Sequence, residues 1–347
     1  MERPLLFLGI TFLFLQCQAP QKQSSDQLDT TQETGITIAF GSCSHQDSTA
    51  QMWKEIIADQ PDFWLWGGDN IYGDTDDMTL LQEKYNKQKS HADYQQLIAS
   101  TPIMGIWDDH DYGVNDGGKE FAKKDSSKAL MLEFLSIDKD NPVWEREGTY
   151  QSYIQSKHGI DIQFILLDTR YFRDQLTKDP SGKKRYIANN NGDILGEAQW
   201  LWLEEKLKDQ SVDINIIMSS IQVIPEEHGW EKWATLPQSR NRFFKLLETI
   251  QPKPVLILSG DRHIAEVSKI DLAKLNYPLY EFTSSGLTHT WRTPSEEANQ
   301  YREGKLIIEK NYGLVHLHKN ENNIKVELEV KGKQDTTFQV LTYQMPL

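Results

Sequence analysis

Several short, wholly apolar runs in this chain finish on loops of the same kind, built from glycine, serine and acid. ITIAF at 36–40 runs into Gly41-Ser42-Cys43, and FWLW at 63–66 into Gly67-Gly68-Asp69. PIMGIW at 102–107 runs into Asp108-Asp109, and PVLILS at 254–259 into Gly260-Asp261. A strand with one wet face alternates polar and apolar residues. These runs do not alternate, so they predict strands buried on both faces, as in parallel sheets covered by other layers.

Between the runs lie segments with other signals. Helical patterns occupy about 49–59, 77–100 and 197–208, and Ser126 is placed to cap a helix through about Leu135. TYQSYIQSK alternates with period two, His158-Gly159 makes a turn, and IDIQFILLD returns as a strand. INIIMSS at 214–220 is a further buried strand. From about 305 to 343 the chain alternates as a β meander: KLIIE, YGLVHLHK, IKVELEVKG and FQVLTYQ. Strand, loop, helix and strand recur through 36–260 before that meander, which predicts two packed sheets with helices outside.

A core of that kind needs apolar material. Hydrophobic residues make up 38% of the 347, with ten Trp and thirteen Tyr, which excludes global disorder. Trp53, Trp64 and Trp66 are expected in this core. The formal net charge is −14, which argues against a grip on polymeric nucleic acid. An anionic substrate remains compatible, because bound cations invert the local field.

The N-terminus reads differently. LLFLGITFLFL at 5–15 is an eleven-residue apolar run, well short of the ~20 residues a membrane-spanning helix needs. With Arg3 before it, the run matches the apolar region of an export signal. It ends at Gln16-Cys17, followed by a polar stretch without periodicity. The expectation is a lipoprotein-type signal at 1–17, acylation of Cys17, a flexible tether at 18–35 and one domain at 36–347. Gln16 and Phe14 depart from the usual lipoprotein residues. Plain secretion is the alternative to a periplasmic or cell-surface anchor. Cys17 and Cys43 are both read as unpaired in the mature fold.

The chemistry lies in the strand-end loops, since ligands bind outside the carboxyl ends of strands in α/β folds. Gly41-Ser42-Cys43, Gly68-Asp69-Asn70-Ile71-Tyr72, Trp107-Asp108-Asp109-His110-Asp111, Leu167-Asp168-Thr169-Arg170 and Ser259-Gly260-Asp261-Arg262-His263 are concentrated in metal-ligand atoms. Together with LGEAQWLWL at 195–203 and FTSSG at 282–286, they resemble the alkaline phosphatase D family, or PhoD-like phosphatases, of the calcineurin-like metallophosphoesterase superfamily. The resemblance spans about residues 36–290. It implies a four-layer α/β/β/α sandwich, a site of two or three metals with iron(III) and calcium, and hydrolysis of phosphate mono- or diesters. An extra N-terminal β domain found in some members has no room in this sequence.

The donor types agree with that implication. Iron(III) suits the oxygens of Asp69 and Tyr72, the Cys43 thiolate and the His263 imidazole. Calcium prefers oxygen ligands, offered by Asp109 and Asp261. Asp69 would bridge the ions. Cys43 also fits a buried apolar residue, and Tyr72 a core aromatic. His110 is the candidate to protonate the leaving oxygen, with Asp111 to orient it. Arg170 is a phosphate clamp or the partner of a structural ion pair with Asp168. Asp108 is a supporting acid or a turn cap, Arg262 a supporting or substrate-facing cation, and Gln222 a contact through water. His289 and Trp291 line the pocket. The basic stretch at 170–186 (Arg170, Arg173, Lys178, Lys183, Lys184, Arg185) opposes the chain's acidity at the mouth. Other divalent metals, a nucleotidase or nuclease, and a non-catalytic calcium- or glycan-binding surface lipoprotein are the rival readings; oligomeric state is not encoded in these motifs.

Overall fold

The computed structural model describes Met1, residues 35–291, Thr293 and residues 297–347. The expected leader, Cys17 and the tether up to residue 34 lie outside the described residues. From Gly35 onward the chain builds two large sheets. In order, the strands are β1 (Ile36–Gly41), β2 (Phe63–Gly67), β3 (Ile103–Ile106), β4 (Gln151–Lys157) and β5 (Ile160–Leu166). A two-stranded ribbon follows, β6 (Thr177–Lys178) and β7 (Tyr186–Ile187). Then come β8 (Ile214–Ser219), β9 (Val255–Ser259), β10 (Ala265–Ile270) and β11 (Leu279–Ser284). The chain ends with β12 (Arg302–Ile307), β13 (Tyr312–Lys319), β14 (Asn323–Lys331) and β15 (Thr337–Pro346).

The first sheet runs β15-β14-β13-β1-β2-β3, and the second β12-β10-β11-β9-β8-β5-β4. Within them, β1, β2 and β3 are parallel, as are β5, β8, β9 and β11. Their carboxyl ends therefore gather their loops along one edge of each sheet.

Three apolar clusters explain why the central runs do not alternate. Between the sheets, Ile38, Phe40 and Leu65 meet Phe164, Ile216 and Leu256. On the outer face of the first sheet, Ala39, Trp64 and Trp66 pack against Trp53, Leu81, Tyr94 and Met131. Those four come from helices α1 (Trp53–Ala58), α2 (Met78–Lys89), α3 (Ala92–Ser100) and, beyond the four-residue α4 (Asp109–Tyr112), α5 (Lys124–Phe134). On the far side, Ile165, Ile217 and Ile257 pack against Trp200, Leu203, Phe243 and Leu247, which belong to α6 (Gly196–Leu207) and α7 (Pro237–Ile250). The result is the four-layer α/β/β/α sandwich, with the three expected core tryptophans fully covered.

Local chemistry moves some boundaries. The helical stretch expected at 77–100 is two helices. Asp77 opens α2 by accepting from the amides of Thr79 (2.9 Å) and Leu80 (3.3 Å), and the chain breaks at Ser90-His91. Ser126 lies inside the first turn of α5 rather than capping it. The hairpin is as read: β4 and β5 are antiparallel, and His158 and Gly159 both have positive φ, 50° and 76°, which a tight two-residue hairpin turn requires. Helix α7, the β6–β7 ribbon and strands β10 and β11 have no counterpart in the sequence reading.

The sheets converge at the loop edge. A Cβ on Gly260, at the end of β9, would stand 2.6 Å from the Gly67 carbonyl oxygen at the end of β2 and 2.6 Å from Ser42 Oγ. Only a residue without a side chain lets these two strand ends meet. Gly260→Ala is expected to destabilise the fold by about 1–3 kcal/mol through overpacking, read as a lowered urea midpoint. Leu201→Ala, on an exposed face of α6, should stay within about 0.5 kcal/mol. Equal midpoints for the two variants would contradict the close approach.

Candidate metal centre and its cleft

The loops gathered at this edge bring the expected ligands together. Cys43, Asp69 and His263 offer donor atoms within 4.8 Å of one another. Asp69, Asp109 and His110 form a second such group, and Asp108, Asp109 and Asp261 a third. Asp69 joins the first two groups and Asp109 the last two, so the donors form one chain long enough for more than one cation. Tyr72 closes the first group: its Oη lies 3.4 Å from Asp69 Oδ2 and 3.0 Å from His263 Nε2.

The backbone is unusual here. Cys43, Asp69, Asp261 and His263 all have positive φ, between 49° and 66°. Non-glycine residues enter that region at a cost, and such strain collects at functional sites. At each of these turns the left-handed residue aims its side chain back toward the other loops.

The electrostatics point to cations. Asp69, Asp108 and Asp109 are buried almost completely or completely, and Asp261 is half-buried beside them. Burial, with the repulsion of neighbouring acids, pushes the carboxyls of Asp69 and Asp261 well above the usual range. Burial likewise raises the Cys43 thiol and the Tyr72 phenol. Water cannot solvate these groups as anions, so a compensating charge must come from elsewhere. His263 is driven down to about 3 by burial, then by His289, His110 and Arg262, which leaves a neutral imidazole able to donate a lone pair. Hard oxygens, one thiol and one neutral imidazole are a metal-binding set.

Two internal cations answer part of the demand. Arg170, expected as a clamp or as the partner of Asp168, is fully buried beneath the acids. Its Nε donates to Asp108 Oδ1 (2.5 Å), its Nη1 donates to Glu231 Oε2 (2.7 Å), and its Nη2 lies 3.9 Å from Asp109. From Arg170, the Asp168 carboxylate accepts only the backbone N–H (3.0 Å), its other bonds coming from Trp107, Thr149 and Tyr171. A guanidinium committed in this way holds acids in place and does not face the cleft. His110 is the second cation: burial lowers its pKa, but Asp69, Asp109 and Asp74 outweigh this and raise it to about 11.

Two expected partners differ. Asp111 does not orient His110. Its carboxylate accepts from the amide of Asp108 (2.6 Å) and from Asn70 Nδ2 (2.6 Å), tying two loops together. The imidazole is held by Asp74, whose Oδ1 lies 2.8 Å from His110 Nδ1. Asp74 follows Tyr72 by two residues, in the loop already singled out, and its position was the available signal. Gln222 donates to Glu266 (2.7 Å) and Thr283 (2.9 Å) within the second sheet. Glu231 was missed because PEEHGWEK at 225–232 has no periodicity to place it.

The cleft over the acids is lined by His110, Asp116, Arg185, Trp230, Arg262 and Trp291 together with the ligand loops. The basic stretch divides. Arg173 is buried against Glu231, at 3.0 Å, while Arg185 reaches the cleft and pairs with Asp116. Asp116 donates its amide to Asp109 Oδ2 (2.6 Å), linking that rim to the acids.

A sequence model of the PhoD-like phosphatase family matches residues 38–338. Alkaline phosphatase D of Bacillus subtilis (strain 168) is 23% identical over 310 residues, covering 73% of this chain and 51% of that protein. The chain thus spans about half the length of that curated relative. A solved structure of PhoD shares the fold with a TM-score of 0.73 at 18% identity, covering 90% of this chain and 70% of that one.

Removing the buried guanidinium should expose its role. Arg170→Ala leaves Asp108 and Glu231 without their cation and is expected to cost about 3–5 kcal/mol in urea unfolding, as for a broken buried pair. Arg185→Ala, whose side chain is partly solvated, should cost under about 1 kcal/mol. A loss below about 1 kcal/mol for Arg170→Ala would return that residue to the cleft.

Proposed function

Because the chain belongs to the PhoD-like phosphatase family over residues 38–338, we propose that it is an exported, metal-dependent phosphoesterase. The observation that carries the reading is the run of overlapping donor groups from Cys43 and His263 through Asp69 and Asp109 to Asp108 and Asp261. Its position beside an imidazole held by a carboxylate gives that run a proton donor. Iron(III) fits the end with Cys43, Asp69, Tyr72 and His263, and calcium the oxygen-only end with Asp109 and Asp261. Cations there would supply neutralisation of phosphate oxygens and a lowered pKa for attacking water.

The chain's own residues do the rest. Asp74 fixes the His110 ring through Nδ1, so that His110 Nε2 is the atom left to protonate a departing ester oxygen. The high pKa of His110 reflects the bare charges of Asp69 and Asp109. Neutralising those acids brings the imidazole back toward its ordinary range, where a general acid is most effective. Arg170 holds Asp108, and through it the loop that carries Asp109 and His110. A non-catalytic calcium- or glycan-binding protein would have no need of the His110–Asp74 pair, which favours the enzyme.

The export part of the proposal rests on LLFLGITFLFL and Cys17, and it makes Cys17 the site of a lipid anchor facing the periplasm or cell surface. Expressed in a bacterium fed labelled palmitate, the chain should take up label and Cys17→Ser should not. Equal labelling of the two would remove the anchor.

Activity is tested with p-nitrophenyl phosphate and bis-p-nitrophenyl phosphate, with elemental analysis of the same preparation. Turnover should vanish with chelator and return with metal. Asp69→Ala should lose both metal and turnover. His110→Ala should keep its metal content and lose roughly 10²–10⁴-fold in rate, the usual contribution of a general acid. A metal-loaded protein inactive on both esters would sink the reading, and full rate in His110→Ala would remove that residue from it.

A further inference from the structure

The outer wall of the cleft is built from flat rings and guanidinium groups, and no part of the proposed chemistry uses it. Trp291 stacks on His263 with ring centroids 5.3 Å apart and planes 14° apart. Trp230 continues the stack on Trp291 at 6.0 Å and 15°. The arrangement is anchored, because the Trp291 amide donates to the His263 carbonyl oxygen at 3.1 Å. Arg262 and Arg185 lie over the Trp230 ring, at 5.7 Å and 6.0 Å.

Two features of this wall call for a ligand. Trp291 is 47% exposed, although it lines a cleft and belongs to an ordered stack. Ordinary packing would bury such a large apolar ring. Arg262 is the converse: it is 4% exposed, yet its Nε–H has no hydrogen-bond partner among the described residues. Its Nη2 is held by Glu297 at 2.5 Å, so a guanidinium of fixed position stands in the cleft wall. A buried donor left unpaired is costly. A flat group lying along Trp291 and bringing an acceptor to Arg262 would satisfy both.

We propose that Trp291, Trp230 and Arg262 form a leaving-group subsite selecting phosphate esters with an aromatic leaving group, aryl or nucleoside, over alkyl esters. The inference rests on the phosphoesterase reading. The stack begins on His263, a proposed metal ligand, so the ring system runs outward from where the phosphate would be bound. Contact with the exposed part of the Trp291 ring supplies the affinity. Arg262 gives direction through its fixed N–H, and Arg185 at the rim adds positive charge. An alkyl group would leave the Trp291 face wet and the Arg262 donor unpaired.

The test is the ratio of kcat/KM for phenyl phosphate to that for ethyl phosphate, measured on the full metal-loaded chain. Ratios across variants cancel the intrinsic reactivity of the two esters. Trp291→Ala should lower the ratio about tenfold, the scale of one aromatic stacking contact, and Trp291→Phe should restore most of it. A change of both esters by the same factor would mean that Trp291 acts only by supporting His263, and would overturn the subsite. So would a ratio lowered no less by Trp291→Phe than by Trp291→Ala. Wild-type protein inactive on every ester would instead be a failure of the phosphoesterase reading, a separate outcome.

Discussion

The arrangement depends on one electrostatic constraint: three buried carboxylates and the half-buried Asp261 are packed together where two sheets touch. The contact needs Gly260, and the acids follow because each strand delivers its loop to the same edge. Arg170 offsets part of that charge. It rises from the end of β5 in the second sheet and grips Asp108, which follows β3 of the first, while its other arm holds Glu231. One guanidinium thus ties both sheets and the loop after β8. Buried ion pairs of this kind are poor sources of stability, since desolvation consumes most of the attraction. Their effect is to fix geometry, here the position of the turn that presents Asp109 and His110.

That internal compensation is incomplete. Arg170 answers Asp108 and Glu231, and His110 answers Asp69 and Asp74, while Asp261 has burial and repulsion raising it with only partial relief from Arg262. The deficit runs along the donors from Asp69 to Asp261, the line on which cations fit. The strained backbone says the same in another way. Cys43, Asp69, Asp261 and His263 occupy turn positions where glycine would cost nothing. Side chains placed there despite the cost argue that their donor atoms are the reason for the turn.

What was legible in the sequence follows from this physics. Runs buried on both faces cannot alternate, so β1, β2, β3, β8 and β9 announced themselves, and their ends named the ligand loops. Period-two strands of the meander, one face inward, were equally clear. Helix α7 was not, because PQSRNRFFKLLETI spreads polar residues through its first turn and buries Arg240 beside Phe243 and Phe244. Within the site, residue types indicated which side chains the loops bring together, but not their hydrogen-bond partners. Asp111 and Asp74 are both near His110, and only the turn of α4 decides which reaches the ring. Arg170 read equally as a cleft clamp, because it follows a strand as the other loop residues do, and as the partner of Asp168. Its long side chain instead runs inward toward Asp108, a contact 62 residues away in sequence that no local pattern encodes.

The same distinction between local and global applies to charge. A chain with a net charge of −14 repels anions at long range, but screening limits that field to about a Debye length, ~8–10 Å in physiological salt. Within that distance of the cleft the balance is different. Arg262 and Arg185 border it, and burial, then the charges of Arg262, Lys232 and Lys184, push the His228 imidazole down. An extended polyanion would have to lie across the acidic surface as well as the cleft, and would be disfavoured over most of its length. A small ester meets only the basic rim, the aromatic wall and the donors beneath. Under the proposed function, that pattern would favour a small ester over an extended polyanion.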